Sequence, residues 1–209
     1  LLRVSIPYRI YGGLRFYERL EIKNAIAYLK IIFNNKDNPS FERSISNPTR
    51  GVGEKTLGKI RQAAKKFNIS YIKASAKLID EGSIGGRGGA GLKDYLEFII
   101  GCKQFIEDNT LSELMELIIK ESGLYAYHAK EAGEKGKTRT ENLEELITAT
   151  KNFEQSIKDE KTNEEIAESY LDVISLDSGD RQASEHDDAA QLMTMHSAKG
   201  LEFKLVLLT

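Results

Sequence analysis

From Phe41 to about Tyr170 the apolar residues recur at helical spacing almost without a break, and strand-like runs occur only towards the two ends of the chain. An amphipathic helix must bury its apolar stripe against other helices or a sheet. The pattern therefore demands a helical assembly with sheet material confined to its flanks. The opening SIPYRIYGG (Ser5 to Gly13) alternates apolar and polar residues and closes on a glycine pair, as a strand and turn do. In RFYERLEIKNAIAYLKIIF, residues Ile22, Ala25, Ile26, Leu29, Ile32 and Phe33 fall at helical spacing and predict an amphipathic helix. After the break at NNKDNPS, helices are expected at FERSIS, EKTLGKIRQAAKKF, SYIKASAKLI, GLKDYLEFIIGCKQFIEDN, LSELMELIIKES, TENLEELITATKNFEQS and NEEIAESYLDVIS. LDSGDRQASEHDDAA (Leu176 to Ala190) has no apolar period and reads as an acidic linker.

Strand character returns in QLMTMH and again in KLVLLT, which reads as an interior parallel strand. Such a strand needs neighbours on both sides, so the chain is expected to be a piece of a larger protein. The simplest arrangement is a mainly α chain in which a helical domain is inserted into a partial α/β domain. Its expected parts are an N-terminal flank (1–35), the inserted helical domain (36–175), the linker (176–189) and a C-terminal flank (190–209). Insertion is tolerated where the ends of the insert lie close together.

Composition narrows the function classes. At 30% charged and 40% hydrophobic residues the chain matches a globular protein. No stretch approaches the roughly 20 apolar residues that span a bilayer, and the start LLRVSIPYRI lacks the pattern of a signal peptide; no membrane partner is expected. Cys102 is the single cysteine, which excludes an internal disulfide and a cysteine-based zinc cluster and fits a reducing, cytoplasmic location. The formal net charge of −2 provides no global nucleic-acid footprint, so a DNA surface would have to be a local patch.

One such patch is NPTRGVGEKTLGKIRQAAKKF (Asn47 to Phe67). Gly51 and Gly53 flank Val52 in a tight turn, a helix is expected from about Glu54, and its first N–H groups have no internal partner and point at any anion. Lys55, Lys59, Arg61, Lys65 and Lys66 add positive charge. The pattern is similar to the hairpin of helix-hairpin-helix modules, which grip duplex DNA by phosphates and read no bases. An ordinary glycine turn before a solvated basic helix fits the same residues, and both readings stay open at this level. GSIGGRGGAGLKDYL (Gly82 to Leu96), with Arg87 and Lys93, has related chemistry, but its glycine density favours a flexible helix joint.

Three further features need placing. GEKGKTR (Gly133 to Arg139) ends like a phosphate-binding loop, but Glu131 stands where the first glycine should be and a helix precedes it, so Thr138 or Thr140 is expected to cap a helix instead. His128 and His186 are expected to be solvated, and no metal site is expected. In LMTMHSAKGLEF, residues Thr194, His196, Ser197 and Lys199 gather hydroxyl, imidazole and ammonium groups at the mouth of a strand, the usual place for ligand contacts in an open α/β sheet. They suit a phosphate backbone, and Glu202 suits a sugar hydroxyl; adjacent Ser197 and His196 with no nucleophile elbow do not make a hydrolase.

QLMTMHSAKGLEF closely resembles motif V of the superfamily 1 DNA helicases of the UvrD/Rep/PcrA type. IPYRIYGGLRFYERLEIKNAIAYLK, FERSISNPTRGVGEKTL and GEKGKTRTENLEELITATKNF resemble further blocks of that family in the same order, so the likeness covers essentially the whole chain. It implies that the flanks belong to the second RecA-like (P-loop NTPase-type) motor domain and that the helical middle is its inserted accessory subdomain, called 2B. It further implies duplex contacts at Thr49, Arg50, Gly51, Val52, Gly53, Lys55 and Thr56, single-strand contacts at Thr194, His196, Ser197 and Lys199, and nucleotide contacts at Gly200 and Glu202. Val52 replaces the family's usual isoleucine, and Met195 stands where leucine is common.

The activity so implied is that of an ATP-dependent 3′→5′ DNA helicase in repair or replication, using ATP and Mg²⁺ and acting at single-strand/duplex junctions without sequence preference. Repair proteins are expected partners. The catalytic residues of ATP hydrolysis are expected outside these residues. Two rival readings are a regulatory protein-interaction module that controls a motor, and part of a helicase–nuclease subunit.

Overall fold

The computed structural model describes residues 8–11, 16–157, 161–175, 190–193, 202–203 and 205–207. Apart from α1, its described helices begin where the sequence supplies an acceptor, or a bare glycine, for the unpaired N–H groups of a first turn. Helix α1 spans Leu20–Phe33 and α2 spans Asn38–Ser46. The Asp37 carboxylate accepts from Ser40 N, and Pro39 lies in the first turn of α2, where a missing N–H costs nothing. That is why α2 starts inside NNKDNPS, where the sequence pattern predicts a break. Helix α3 (Glu54–Phe67) follows a glycine cap, and α4 (Tyr71–Asp80) is capped by the Ser70 hydroxyl.

Helix α5 (Gly86–Asp108) runs straight through the glycine-rich stretch expected to be a flexible joint. Helix α6 (Leu111–Glu121) carries a reciprocal capping box between Thr110 and Glu113, and α7 (Leu124–Ala129) is short. Helix α8 (Glu134–Ser156) begins at Gly133, so Thr138 and Thr140 lie inside it and cap nothing. The Thr140 hydroxyl donates back to the Lys137 carbonyl at 2.8 Å, the usual outlet for a buried mid-helix threonine. Helix α9 spans Asn163–Ser175. Among the described residues the chain is mainly α, and none of its helices is long and apolar enough to cross a membrane.

Contacts divide the chain into two compact units, Leu20–Asp172 and a second unit made of Leu1–Arg19 with Val173–Thr209. In the second unit, strands β1 (Tyr8–Tyr11) and β2 (Ala190–Met193) pair in parallel, Tyr8 opposite Ala190 and Tyr11 opposite Met193. A short 3-10 turn, Phe16–Glu18, follows β1 in sequence. Leu205, Val206 and Leu207, expected in a buried strand, are 76%, 63% and 79% exposed and carry no strand assignment. A strand is buried only when neighbours cover its faces, and the described residues supply none there.

In the helical unit α1 is the central element, packing against α2, α5, α6 and α8. Of its expected face, Ile22, Ala25, Ile26, Leu29 and Ile32 are buried and Phe33 is half-buried; Ala27, Tyr28 and Ile31 are buried as well, so the helix is covered nearly all round. Phe41 of α2 stands edge-on to Tyr71 of α4 (5.9 Å) and to Tyr95 of α5 (5.5 Å), and Tyr28 meets Tyr95 at 6.1 Å. These aromatic contacts join α1, α2, α4 and α5 around one core. Helices α6 and α7 pack on α8, and α3 pairs with α4.

Three glycines of α5, Gly88, Gly89 and Gly91, are explained by close approach. A Cβ on Gly91 would stand 1.9 Å from the Arg50 carbonyl oxygen, and one on Gly89 would stand 2.8 Å from that of Ile84. Backbone cannot yield as a side chain does. Gly91→Ala is therefore expected to lower unfolding stability by roughly 1–3 kcal/mol or more. Gly101→Ala, in the same helix with nothing within 4 Å of the new methyl, is expected to be neutral or to stabilise by up to about 1 kcal/mol. Urea unfolding of the two variants checks the contrast; equal effects would refute the packing role of Gly91.

Candidate nucleic-acid interface

The turn between α2 and α3, Asn47 to Gly53, is held from inside by one arginine. The Arg50 guanidinium donates through one nitrogen to the carbonyl oxygens of Ser44 (3.2 Å) and Pro48 (3.0 Å) and through the other to that of Ser122 (2.8 Å). It lies 5.5 Å from the centres of both the Tyr28 and Tyr95 rings. Ser44 is in the last turn of α2 and Ser122 is the C-cap of α6, so a positive group sits where two helix dipoles place partial negative charge. The Tyr28 hydroxyl lies 2.7 Å from the Ser44 carbonyl and 2.8 Å from that of Asn47, and donates into the same turn. Burial pushes the Tyr28 phenol up to about 12 and raises that of Tyr95 as well, so both stay neutral against the cation.

The outer edge of the turn is different in character. Val52 is 8% exposed and anchors it, whereas Gly51 and Gly53 are exposed. Gly51 has φ +74°, a left-handed conformation that favours glycine. Gly53 is the N-cap of α3 and supplies no side-chain acceptor, so the first N–H groups of the helix are left for solvent or a ligand. Leu57 and Ile60 are buried and fix α3 to the core, while Lys55 points to solvent and Thr56 is half-buried. Thr49 is exposed. The structure thus brings Gly51, Gly53, Lys55 and Thr56 to one edge and turns the Arg50 head group away from it.

Two of the expected cations are committed within the fold. Arg61 is gripped by both oxygens of Glu42 at 2.6 and 2.7 Å and also binds Glu54. The guanidinium holds the Glu42 carboxyl below its usual range, and the two carboxylates keep Arg61 protonated. Lys59 donates to the Ser83 carbonyl at 2.8 Å. Lys65 and Lys66 lie at the far end of α3, where Lys66 and Lys77 sit 5.1 and 4.7 Å from the Phe67 ring centre.

Thr194, His196, Ser197, Lys199 and Gly200 lie outside the described residues, as does His186; Glu202 is described and is exposed. His128, expected to be solvated, is only 1% exposed. Its Nδ1 lies 2.9 Å from Glu131 Oε1, which also accepts from Arg139 at 2.6 Å; Arg139 in turn stands 3.6 Å from the buried Glu21, whose other oxygen accepts from Asn142 at 2.6 Å. The His128 hydrogen bond, then Arg139, keeps the Glu131 carboxyl below its usual range. A lone histidine in a polar stretch gives no hint of this: Glu131 is only three residues away, but Arg139 and Asn142 come from α8 and Glu21 from α1. Among the described residues no group of three His, Cys, Asp or Glu side chains could hold a metal ion.

The model of the UvrD-like helicase C-terminal domain family matches residues 1–82 and 94–209. DNA helicase II of Escherichia coli strain K12 is 44% identical over 206 residues, covering 99% of this chain. DNA helicase II of Haemophilus influenzae is 43% identical over 206 residues, again 99% of this chain, and the ATP-dependent DNA helicase PcrA of Bacillus subtilis strain 168 is 33% identical over 210 residues and 100% of it. The chain spans 28% of the length of each of these three relatives.

The inward grip of Arg50 makes it a stability determinant. Arg50→Met keeps the stem between the two rings but removes the donor to the Pro48 and Ser122 carbonyls, and is expected to cost on the order of 3 kcal/mol. Arg50→Lys should restore only part, because an ammonium cannot span three carbonyls as a planar fork does. Urea midpoints at constant slope measure both; a Met variant as stable as the parent would remove Arg50 from this role.

Proposed function

The chain belongs to the UvrD-like helicase C-terminal domain family, and we propose that it is the part of an ATP-dependent 3′→5′ DNA helicase that grips duplex DNA and couples the motor to the single strand. The observation that carries this reading is likeness to DNA helicase II along 99% of the chain at 44% identity. In this proposal the helical domain 36–175 is the inserted 2B subdomain, and the flanks 1–35 and 190–209 contribute to the second RecA-like motor domain. The parallel pairing of β1 with β2, whose residues flank all the helices in sequence, supports that arrangement.

Duplex contacts fall at the turn Thr49–Thr56. Gly51, Gly53, Lys55 and Thr56 meet phosphates there with backbone N–H, hydroxyl and ammonium groups, and Arg50 and Val52 act from within by fixing the turn. Contacts of this kind position a protein without reading sequence. Thr194, His196, Ser197 and Lys199 hold the single strand, and Gly200 and Glu202 face the nucleotide. The exposed Glu202 carboxylate is chemically suited to accept from a ribose hydroxyl. When bound by the full-length protein, ATP and Mg²⁺ supply hydrolysis; this chain's residues orient DNA and nucleotide. The protein acts in the cytoplasm, in repair or replication, with repair proteins as partners.

Duplex binding by the full-length protein is expected to fall with salt at a log–log slope of about −0.9 for each phosphate neutralised. Lys55→Gln should weaken every duplex sequence alike and flatten the slope by about one phosphate. Unchanged affinity in Gly51, Gly53 and Lys55 variants would defeat the duplex reading in favour of a protein-interaction module. The isolated 209-residue chain is expected to show no DNA-stimulated ATPase activity, and robust hydrolysis by highly purified chain would overturn the division of labour proposed here.

A further inference from the structure

The two glycine-rich segments, thirty-odd residues apart in sequence, are packed together backbone to backbone. A Cβ on Gly88 would lie 3.1 Å from the Gly51 carbonyl oxygen and 3.4 Å from Thr56 Oγ1, and Gly91 abuts the Arg50 carbonyl. The first turns of α5 therefore lie directly on the Arg50–Thr56 turn. The stem of Arg87, next to Gly88 in the chain, covers Gly51: its Cγ, Cδ and Nε are 2.9, 3.3 and 3.4 Å from where a Gly51 Cβ would be. Its side chain is exposed, and among the described residues it has neither an ion-pair nor a hydrogen-bond partner.

We propose that Arg87 is a further contact to the phosphodiester backbone of duplex DNA, working beside Gly51 and Lys55 on one surface. The inference rests on reading the glycine turn as a duplex interface, and it lies in a stretch, residues 83–93, that the family match leaves out. Three physical points carry it. The stem is packed, so part of the rotamer freedom a long side chain loses on binding is already spent in the free protein. The head group is uncommitted, in contrast to Arg61, held by Glu42 and Glu54, to Lys59, held by Ser83, and to Lys93, which faces Glu97 at 3.7 Å. The first turn of α5 carries no acidic residue to repel an anion. Covering Gly51 requires only a stem of this length, so the fold has no use for the charge; a planar guanidinium offers a phosphate two parallel N–H donors.

The experiment is equilibrium binding of a tailed duplex to the full-length protein over a salt series, with Arg87→Gln, Arg87→Lys and Lys55→Gln. Arg87→Gln keeps the stem and is expected to weaken duplex binding about tenfold at low salt, with the slope flattened by about 0.9. Arg87→Lys should recover the slope but only part of the affinity. Single-strand affinity and thermal unfolding should stay at parental values, which separates a contact from a structural role. If Lys55→Gln weakens duplex binding and Arg87→Gln does not, the interface stands and the Arg87 contact is overturned. If neither changes it, the duplex reading itself fails and takes this inference with it.

Discussion

A guanidinium enclosed by two tyrosine rings and three carbonyl oxygens, that of Arg50, is the contact on which the rest of the helical unit depends. It touches the C-terminal ends of α2 and α6, the turn that leads to α3, and the rings of α1 and α5. Placing a cation there is tolerable because every neighbour offers partial negative charge: carbonyl oxygens at helix ends and aromatic faces. The phenols remain neutral because burial holds their protons on, so neither competes for the charge as a phenolate would gain it. The backbone of Arg50 is engaged as firmly as its side chain, since Gly91 of α5 rests against its carbonyl. One residue thereby fixes both the inner side of the turn and the helix laid across it.

Glycine serves two separate needs in this region. At Gly51 the need is conformational, a φ of +74°. At Gly88 and Gly91 it is steric, because a helix interior ordinarily disfavours glycine by about 1 kcal/mol each, and that cost is offset by letting α5 approach the turn at backbone distance. A glycine-rich stretch is usually read as slack. Here the same composition gives a rigid contact, because what matters is the space each missing Cβ leaves and what fills it.

This separates what was legible in the sequence from what was not. Helical periodicity located α1, α3, α4, α6 and α9 closely, since apolar spacing is a property of single segments. The burial of α1 on nearly every side was hidden, because residues such as Tyr28, Asn24 and Glu21 are buried by partners from other helices that no local pattern names. The start of α8 was missed because Thr138 and Thr140 are better caps than Gly133, yet both lie inside the helix and the Thr140 hydroxyl turns back to its carbonyls. The charge of Arg50 and Arg61 could be read, but its direction could not: one points into the core and the other into a pair of carboxylates. Composition counts both towards a basic patch to which neither contributes.

That direction has consequences for how such a turn can hold a polyanion. With Arg50 enclosed, Arg61 neutralised and Lys59 tied to a carbonyl, the uncommitted charge beside the turn among the described residues is that of Lys55 and Arg87, set around exposed backbone N–H groups. A net charge of −2 for the whole chain adds no general attraction. On the proposed reading the grip is accordingly local: two neutralised phosphates correspond to a salt exponent near 1.8, well below that of proteins that cover a long stretch of duplex. Such a contact has the same strength at every sequence and is released at small cost. A motor that must keep hold of the duplex while advancing along the single strand needs both properties, and a broad basic surface would supply only the first.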